Sequence, residues 1–418
     1  MCSVVAAVAA RRTLVLLDAP DDKDAFSVFF DSLATRGHTL TSRLANNTSN
    51  VLENEGVRLY DNVVVLAPRA EDYGAFDASD LARFVNDLEG NVLFAFDKQY
   101  GDAASEFATE LDIRVSKIGT ELMDHFSFDK DTDDGNHTMV RTGPMLRNHL
   151  ITGEESHPAL FKGVGLTIKH PKTSLLFPIA RAQETTYVAN ATKPVKKVVS
   201  NDLGKRIVLI AGMQGRNNAR IIVSGSMDMF KNKVAKFNGA HIAALTKWCM
   251  HERGILRLTD AKHSTKDGRV GVRTRGSMNP TYRVHDVLTY SVTIAALQED
   301  LVTWAPYVTD GIQVEFMLLK TVVRQTMQHV GDGVYQATFE SPGTPGVYKF
   351  RVHYERMGYT SLSSVSVVTL RPVETGDHAH FVGAAYPYYA SFVLLALGFV
   401  RMLSGLRALE TPEKVKKE

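Results

Sequence analysis

The chain has 418 residues, 44% hydrophobic and 22% charged, with a net charge of +2. This is the composition of a folded protein with room for two or three domains, and its near-neutral charge gives no case for a nucleic-acid partner. Only two cysteines, Cys2 and Cys249, are present, which excludes a disulfide scaffold.

The chain opens on a short apolar run of small residues. Ala7-Val8-Ala9 has the form of a signal-peptidase site, but a basic n-region is missing. Residues 1–10 are therefore either a weak or truncated signal peptide or the approach to a first strand. Residues 13–17 form a compact apolar run that predicts a buried strand ending at Asp18. Residues 25–36 show helical spacing through Phe26, Phe29, Phe30 and Leu33, stopped by Gly37. Further buried strands are expected at 62–67 and 91–96, with helices at 79–88, capped by Ser79, and at 103–111. The pattern returns with strands at 207–211 and 220–223 and a helix over 237–251. Strands alternating with helices predict an α/β domain over 11–254, Rossmann-like or amidotransferase-like, with a mostly parallel sheet.

After Gly254 the character changes. Strands are expected at 282–295, 313–319, 334–339, 347–354 and 364–369, with turns at Gly331-Asp332-Gly333 and Ser341-Pro342-Gly343. This spacing predicts an antiparallel β-sandwich over 255–375.

The candidate chemistry is sparse. The first strand is followed by Asp18-Ala19-Pro20-Asp21-Asp22, where no glycine lets a backbone approach a pyrophosphate and the carboxylates repel one. Gly212-Met213-Gln214-Gly215 lacks the Lys-Ser/Thr of a P-loop and reads as a plain turn. Ser224-Gly225-Ser226 lacks the leading glycine of a nucleophile elbow. Cys249, beside Trp248, reads as a buried small hydrophobe. Asp129, Asp131 and Asp133 alternate as in a calcium loop, but Gly135 comes one place late and Val140 stands where a bidentate Glu is needed. A solvated acidic loop is expected instead. His378 and His380 read as part of a polar neck. No catalytic, metal or cofactor residue is assigned. Asn46, Asn136 and Asn190 begin acceptor sequons for N-linked glycans.

Residues 381–400 hold no formal charge, long enough as a helix to cross a hydrocarbon core of roughly 30 Å. A transmembrane helix is expected over 381–403. Arg401, Arg407, Lys414, Lys416 and Lys417 follow the span, whereas Glu374 and Asp377 precede it. The basic side stays cytoplasmic, which predicts a type I protein with its body outside the cytosol and a cytoplasmic tail over 404–418. Lys416 and Lys414, third and fifth from the carboxyl end, have the spacing of a dilysine retrieval signal for the endoplasmic reticulum; a basic tail meeting anionic headgroups is the plainer reading. Within the span, Ala384 and the run Tyr386-Pro387-Tyr388-Tyr389 combine small residues, an intramembrane proline and aromatics. They read either as a contact for a membrane partner or as a kinked anchor with an interfacial girdle.

Several stretches together resemble the 48 kDa-subunit family of the eukaryotic oligosaccharyltransferase, from near Arg12 to the C-terminus. They are residues 12–18, 60–68 and 215–220, then Ser224-Gly225-Ser226, Met229-Phe230, Trp248 with Gly254-Ile255-Leu256-Arg257, and residues 384–389. The resemblance implies an accessory subunit in the endoplasmic reticulum membrane. Its complex moves a preassembled oligosaccharide from dolichyl diphosphate to asparagine. It also implies catalytic residues and metal on a separate multi-spanning subunit, and a lumenal body that handles lipid-linked oligosaccharide or nascent polypeptide. Residues 129–134 and 262–275 depart from the family pattern. Two readings from other classes remain open at this point: a self-contained lumenal hydrolase, and a glycan-binding receptor.

Overall fold

The structure, a computed structural model, describes residues 11–154, 157–171, 175–190, 203–271, 279–377 and 382–409. The expected leader, His378, His380, Lys414 and Lys416 lie outside the described residues. The chain divides into two compact units. The first holds the described residues up to His263, with Thr289–Ala337 and Lys349–Ser366. The second holds Ser264–Leu288, Thr338–Tyr348 and the described residues from Val367 on.

A nine-stranded sheet organises the first unit. Its strands are β1 (Arg11–Leu17), β2 (His38–Leu44), β3 (Asn62–Leu66), β4 (Asn91–Ala95), β5 (Ile113–Val115), β6 (Leu166–Ile168), β7 (Leu176–Arg181), β8 (Val208–Gln214) and β9 (Arg220–Ser224). Five run parallel in the order β2-β1-β3-β4-β9. β8 then pairs antiparallel with β9, with β7 and with β6, and β5 closes the edge antiparallel to β6. Half of the sheet's pairings are thus antiparallel, against the expectation of a mostly parallel sheet. The reason is the link between β8 and β9. Gly215 N–H donates to Ala219 C=O at 2.8 Å, and Asn218 takes φ of 72°, so the chain reverses in a tight turn. Gly212, Met213 and Gln214, read as a turn, belong to β8, and the turn begins at Gly215.

Both faces of this sheet are covered, which is why its central strands are unbroken apolar runs. Successive side chains alternate between faces. Val15, Leu17, Val64 and Leu66 face one core, with Phe29 and Phe30 of α1 (Ser27–Thr35). Leu14, Leu16, Val63 and Val65 face the other, with Phe84 of α2 (Ala78–Asn86) and Phe107 of α3 (Asp102–Glu110). The long α4 (Asn232–Cys249) brings Ile242, Leu245 and Trp248 to the first core. It starts earlier than the apolar spacing suggested. The cap of α2 is Asp77, not Ser79: its carboxylate accepts the Asp80 N–H at 2.8 Å, and Asp80 returns the bond to the Asp77 N–H. An ionised acceptor at the N-cap answers an orphan amide and the helix dipole together, which Ser79, already inside the helix, cannot do.

Beyond His251 the strands are β10 (Leu256–Thr265), β11 (Thr281–Arg283), β12 (Val287–Leu297), β13 (Trp304–Pro306), β14 (Gln313–Met317), β15 (Thr321–Thr326), β16 (Gln328–Gly331), β17 (Val334–Glu340), β18 (Gly346–Tyr354) and β19 (Leu362–Arg371). Within the first unit, β14 pairs antiparallel with β15 and β18, β12 with β13, and β16 with β17. Tyr290 of β12 stacks on Phe350 of β18 with centroids 4.7 Å apart, and Phe316 of β14 closes on the same ring at 4.7 Å. Strands of two different sheets therefore meet through aromatic side chains. Within the second unit, β11 runs parallel to the end of β19, pairing Thr281 with Thr369 and Arg283 with Arg371, an exception to the expected antiparallel order. This unit also carries α5 (Tyr386–Leu409).

Candidate functional site

In an open α/β sheet, ligands gather outside the carboxyl ends of parallel strands, where the strand order reverses. Here that point lies between β1 and β3. Asp18 follows β1, Arg69 follows β3, and Asp97 and Lys98 follow β4. Arg69 Nη2 meets Asp97 Oδ2 at 2.9 Å, Asp22 Oδ2 accepts the Ala19 N–H at 3.1 Å, and Lys98 Nζ meets Glu121 Oε1 at 2.8 Å. Burial is the main cause that lifts the Asp18 carboxyl from 3.8 to about 6; the Arg69 amide and guanidinium offset it only in part, and Asp22 and Asp97 add to it. Three carboxylates around one arginine suit no polyphosphate. The arrangement offers instead a carboxyl that changes charge near pH 6.

This carboxyl gives a signed prediction. The unfolded chain ionises Asp18 before the folded chain does, so stability falls as pH rises from about 4 to 6 and stays lowered above. Asp18→Asn is expected to melt higher than the parent at neutral pH, by roughly 1 kcal/mol after solvent screening. The gap should close as the pH falls toward 4. Paired melts at the two pH values check it, and a pH-independent gap would contradict the assigned shift.

The residues considered as nucleophiles are structural. Cys249 is buried, its Sγ is 3.4 Å from the Val92 carbonyl, and burial pushes its thiol up to about 12. Ser224 Oγ donates to the Ser226 carbonyl at 3.0 Å and accepts the Ser226 N–H at 3.2 Å inside the core. His251 is held neutral, pulled down to about 3 chiefly by burial, with Nε2 on the Asn218 carbonyl at 2.8 Å.

The acidic loop is not the solvated loop expected. Asp133 accepts the amides of Gly135, His137, Thr138 and Met139 at 2.8–2.9 Å. Asp129 takes the Thr132 hydroxyl at 2.6 Å and Arg141 Nη2 at 2.9 Å. Only Asp131 and Asp134 remain on the surface. The carboxylates fold the loop, and among the described residues no group of three or more His, Cys, Asp or Glu is placed to hold a metal. Asn136, on the same loop, is exposed, as is Asn46. Asn190 is half-buried, with Nδ2 donating to the Gly119 carbonyl at 3.0 Å.

Residues Gly383–Arg407 form one helical stretch long and apolar enough to cross a membrane, with mean hydropathy 1.7. The 24 residues of α5 measure about 36 Å at 1.5 Å each. Ala384 lies in a single 3₁₀ turn, Gly383–Ala385, that leads into the helix. Tyr386 is its first residue, so Pro387 stands in the first turn. A proline in the first turn of an α-helix is tolerated, because the amide it lacks is one of the orphan donors of that turn. Tyr386, Tyr388 and Tyr389 are exposed at this end.

Two family models match the chain: OST48, N-terminal domain, over residues 5–252, and OST48 middle domain, over residues 266–404. A Caenorhabditis elegans protein named dolichyl-diphosphooligosaccharide–protein glycosyltransferase 48 kDa subunit is 34% identical over 411 residues, covering 94% of this chain and 90% of its own. The like-named Danio rerio protein is 34% identical over 412 residues, with 93% and 90% covered. The Arabidopsis thaliana one is 31% identical over 410 residues, with 93% and 91% covered.

Proposed function

The chain belongs to the OST48 family, and from that premise we propose how it serves its complex. It is an oligosaccharyltransferase subunit acting in protein N-glycosylation at the endoplasmic reticulum, and it carries one candidate transmembrane helix among the described residues. On our reading it is a noncatalytic subunit, with the chemistry on a multi-spanning partner. The burial of Cys249 and Ser224 supports this. The α/β domain, 11–254, and the sandwich, 255–375, would form a lumenal body that handles lipid-linked oligosaccharide or nascent polypeptide. Helix α5 would anchor that body as a type I protein, with the basic side at Arg401 and Arg407 cytoplasmic. Its head, from Ala384 to Tyr389, would meet the partner.

The match over nearly the whole chain carries the proposal. A tag inserted in the body, leaving Glu418 free, tests it by pull-down from mild-detergent microsomes. Recovery of a multi-spanning glycosyltransferase, with acceptor glycosylation lost on depletion, is the expected result. Recovery of the chain alone, with glycosylation intact after depletion, would overturn it.

Orientation has its own check. In a lumenal body the exposed Asn46 and Asn136 are expected to accept glycans, and the hydrogen-bonded Asn190 much less so. Glycosidase treatment should increase gel mobility, and Asn46→Gln with Asn136→Gln should reduce that shift, Asn47-Thr48-Ser49 remaining as an exposed acceptor triplet. A shift unchanged in the double variant would move the modification elsewhere.

A further inference from the structure

The basic segment after β10 has no part in the reading so far, and the second unit places it beside a pocket. That pocket, of about 490 Å³, is lined by Lys266, Arg269, Arg283, Asp286, Arg371 and Asp377. Two of its cations are locked. Arg371 forks onto Asp377 with Nη1 and Nη2 at 2.5 and 3.0 Å, and Arg283 places Nε and Nη2 on Asp286 Oδ1 at 3.1 Å each. The other two are not: Lys266 and Arg269 are exposed and form no ion pair among the described residues. Their turn is nevertheless well held. Thr265 N–H donates to the Arg269 carbonyl at 2.8 Å, Gly268 N–H to the Thr265 carbonyl at 2.9 Å, and Lys266 N–H to the Val287 carbonyl at 2.8 Å. Gly268 adopts φ of +78°, which the tight turn needs. Asp267 shares the turn and also lines the pocket, so cations exceed carboxylates there by one.

The span fixes where this pocket works. From Asp377, on its wall, to Gly383, where the apolar stretch begins, is six residues, at most about 21 Å of fully extended chain. The pocket is tethered to the bilayer surface, whichever side the body occupies. Val270, next to Arg269, is 66% exposed, an apolar side chain beside two unpaired cations. Soluble phosphate has no use for that valine; an interfacial lipid does.

We propose that the turn carrying Lys266 and Arg269, with the adjoining pocket, binds phosphate headgroups of anionic lipid in the bilayer that α5 crosses. Arg283 and Arg371, held by their carboxylates, shape the wall, while Lys266 and Arg269 supply the uncompensated charge. The inference rests on α5 spanning the membrane and not on which subunits the chain joins. Each uncompensated positive charge at an anionic surface strengthens partitioning roughly fivefold, so the pocket's net excess of one contributes roughly that factor.

The test uses the full chain in phosphatidylcholine nanodiscs with and without phosphatidylinositol, read by amide hydrogen exchange over residues 263–271. Exchange there should slow in the anionic discs alone, and Lys266→Glu with Arg269→Glu should abolish the effect while exchange in the α/β core stays unchanged. Equal exchange in the two discs would overturn the proposal. Slowing by inorganic phosphate in neutral discs would also overturn it, by assigning the pocket to a soluble anion. Alkaline extraction of the chain from microsomes would defeat the span itself, an outcome separate from either.

Discussion

Arg220→Met is expected to lower the unfolding midpoint of the full chain by roughly 10 °C. The side chain is fully buried and forms no ion pair with a carboxylate among the described residues. Its guanidinium donates to four carbonyls: Nη1 to Trp248 and Arg253 at 2.7 Å each, Nη2 to Gly254 at 2.9 Å and Gly358 at 3.3 Å. It also lies over the Trp248 ring, 5.1 Å from the centroid. Burial draws its pKa down to about 9, which leaves it cationic at neutral pH.

The need for an arginine follows from α4. A helix end leaves four carbonyls without helical donors and concentrates negative charge there. The Trp248 carbonyl is one of these, buried where water cannot serve it. The chain then passes Gly254, where an added Cβ would stand 2.1 Å from the Gly358 oxygen, so no larger residue fits the crossing. Only a planar fork reaches carbonyls on both sides of that crossing. Methionine fills similar volume but withdraws four charge-assisted bonds, leaving the Trp248, Gly254 and Gly358 carbonyls only the His251 N–H, the Thr360 N–H and the Trp248 Nε1–H, a loss of roughly 3–5 kcal/mol, and each kcal/mol moves the midpoint of a domain this size by roughly 2–4 °C. Arg220→Lys should recover less than half of the loss, because one ammonium cannot span the set. Thermal melts of the three proteins in one detergent check the order. A methionine variant within 2 °C of the parent, on the same scale of roughly 2–4 °C per kcal/mol, would show the clamp to be dispensable.

What the sequence revealed and what it concealed divide along physical lines. The strands β1, β3, β4 and β9 were legible because a strand buried on both faces must be apolar throughout. The same uniformity hid the direction of β8, since an unbroken run reads alike in a parallel or antiparallel place. β2, His-Thr-Leu-Thr-Ser-Arg-Leu, was not recognised, because its polarity is answered from afar. His38 lies 3.0 Å from Thr13 Oγ1 and 3.0 Å from Glu252 Oε1, and Arg36 reaches the same Glu252 oxygen at 2.7 Å. Glu252 lies more than two hundred residues away in sequence. Asp18 stood out as part of an acidic cluster, but its place at the switch point depends on the order β2-β1-β3, which no local pattern encodes. Arg220 appeared only as the end of a family motif, since its partners are main-chain atoms and leave no mark in the sequence.

At the membrane the relation is reversed, for there the sequence is explicit and the chain's own fold adds few contacts. Tyr388 is 76% exposed, and Ala384 is exposed in the turn before it. A substitution at either site removes little from this chain, so any large consequence must come through another molecule. Tyr388→Ala with Ala384→Leu is expected to reduce recovery of the proposed multi-spanning partner by roughly tenfold, the factor that about 1.4 kcal/mol supplies. The single chain should keep its melting midpoint and its membrane retention. Leu397→Ala is the control, since nine residues further at 3.6 per turn put it on the opposite face of α5. Helices in lipid associate by close packing and not by hydrophobic burial, so enlarging a small residue and deleting a ring both act on fit. Removing one leucine from a lipid-facing surface leaves that fit intact. Equal losses from the head variant and the Leu397 control would mean that general anchoring, not a docked helix head, holds the chain in its complex.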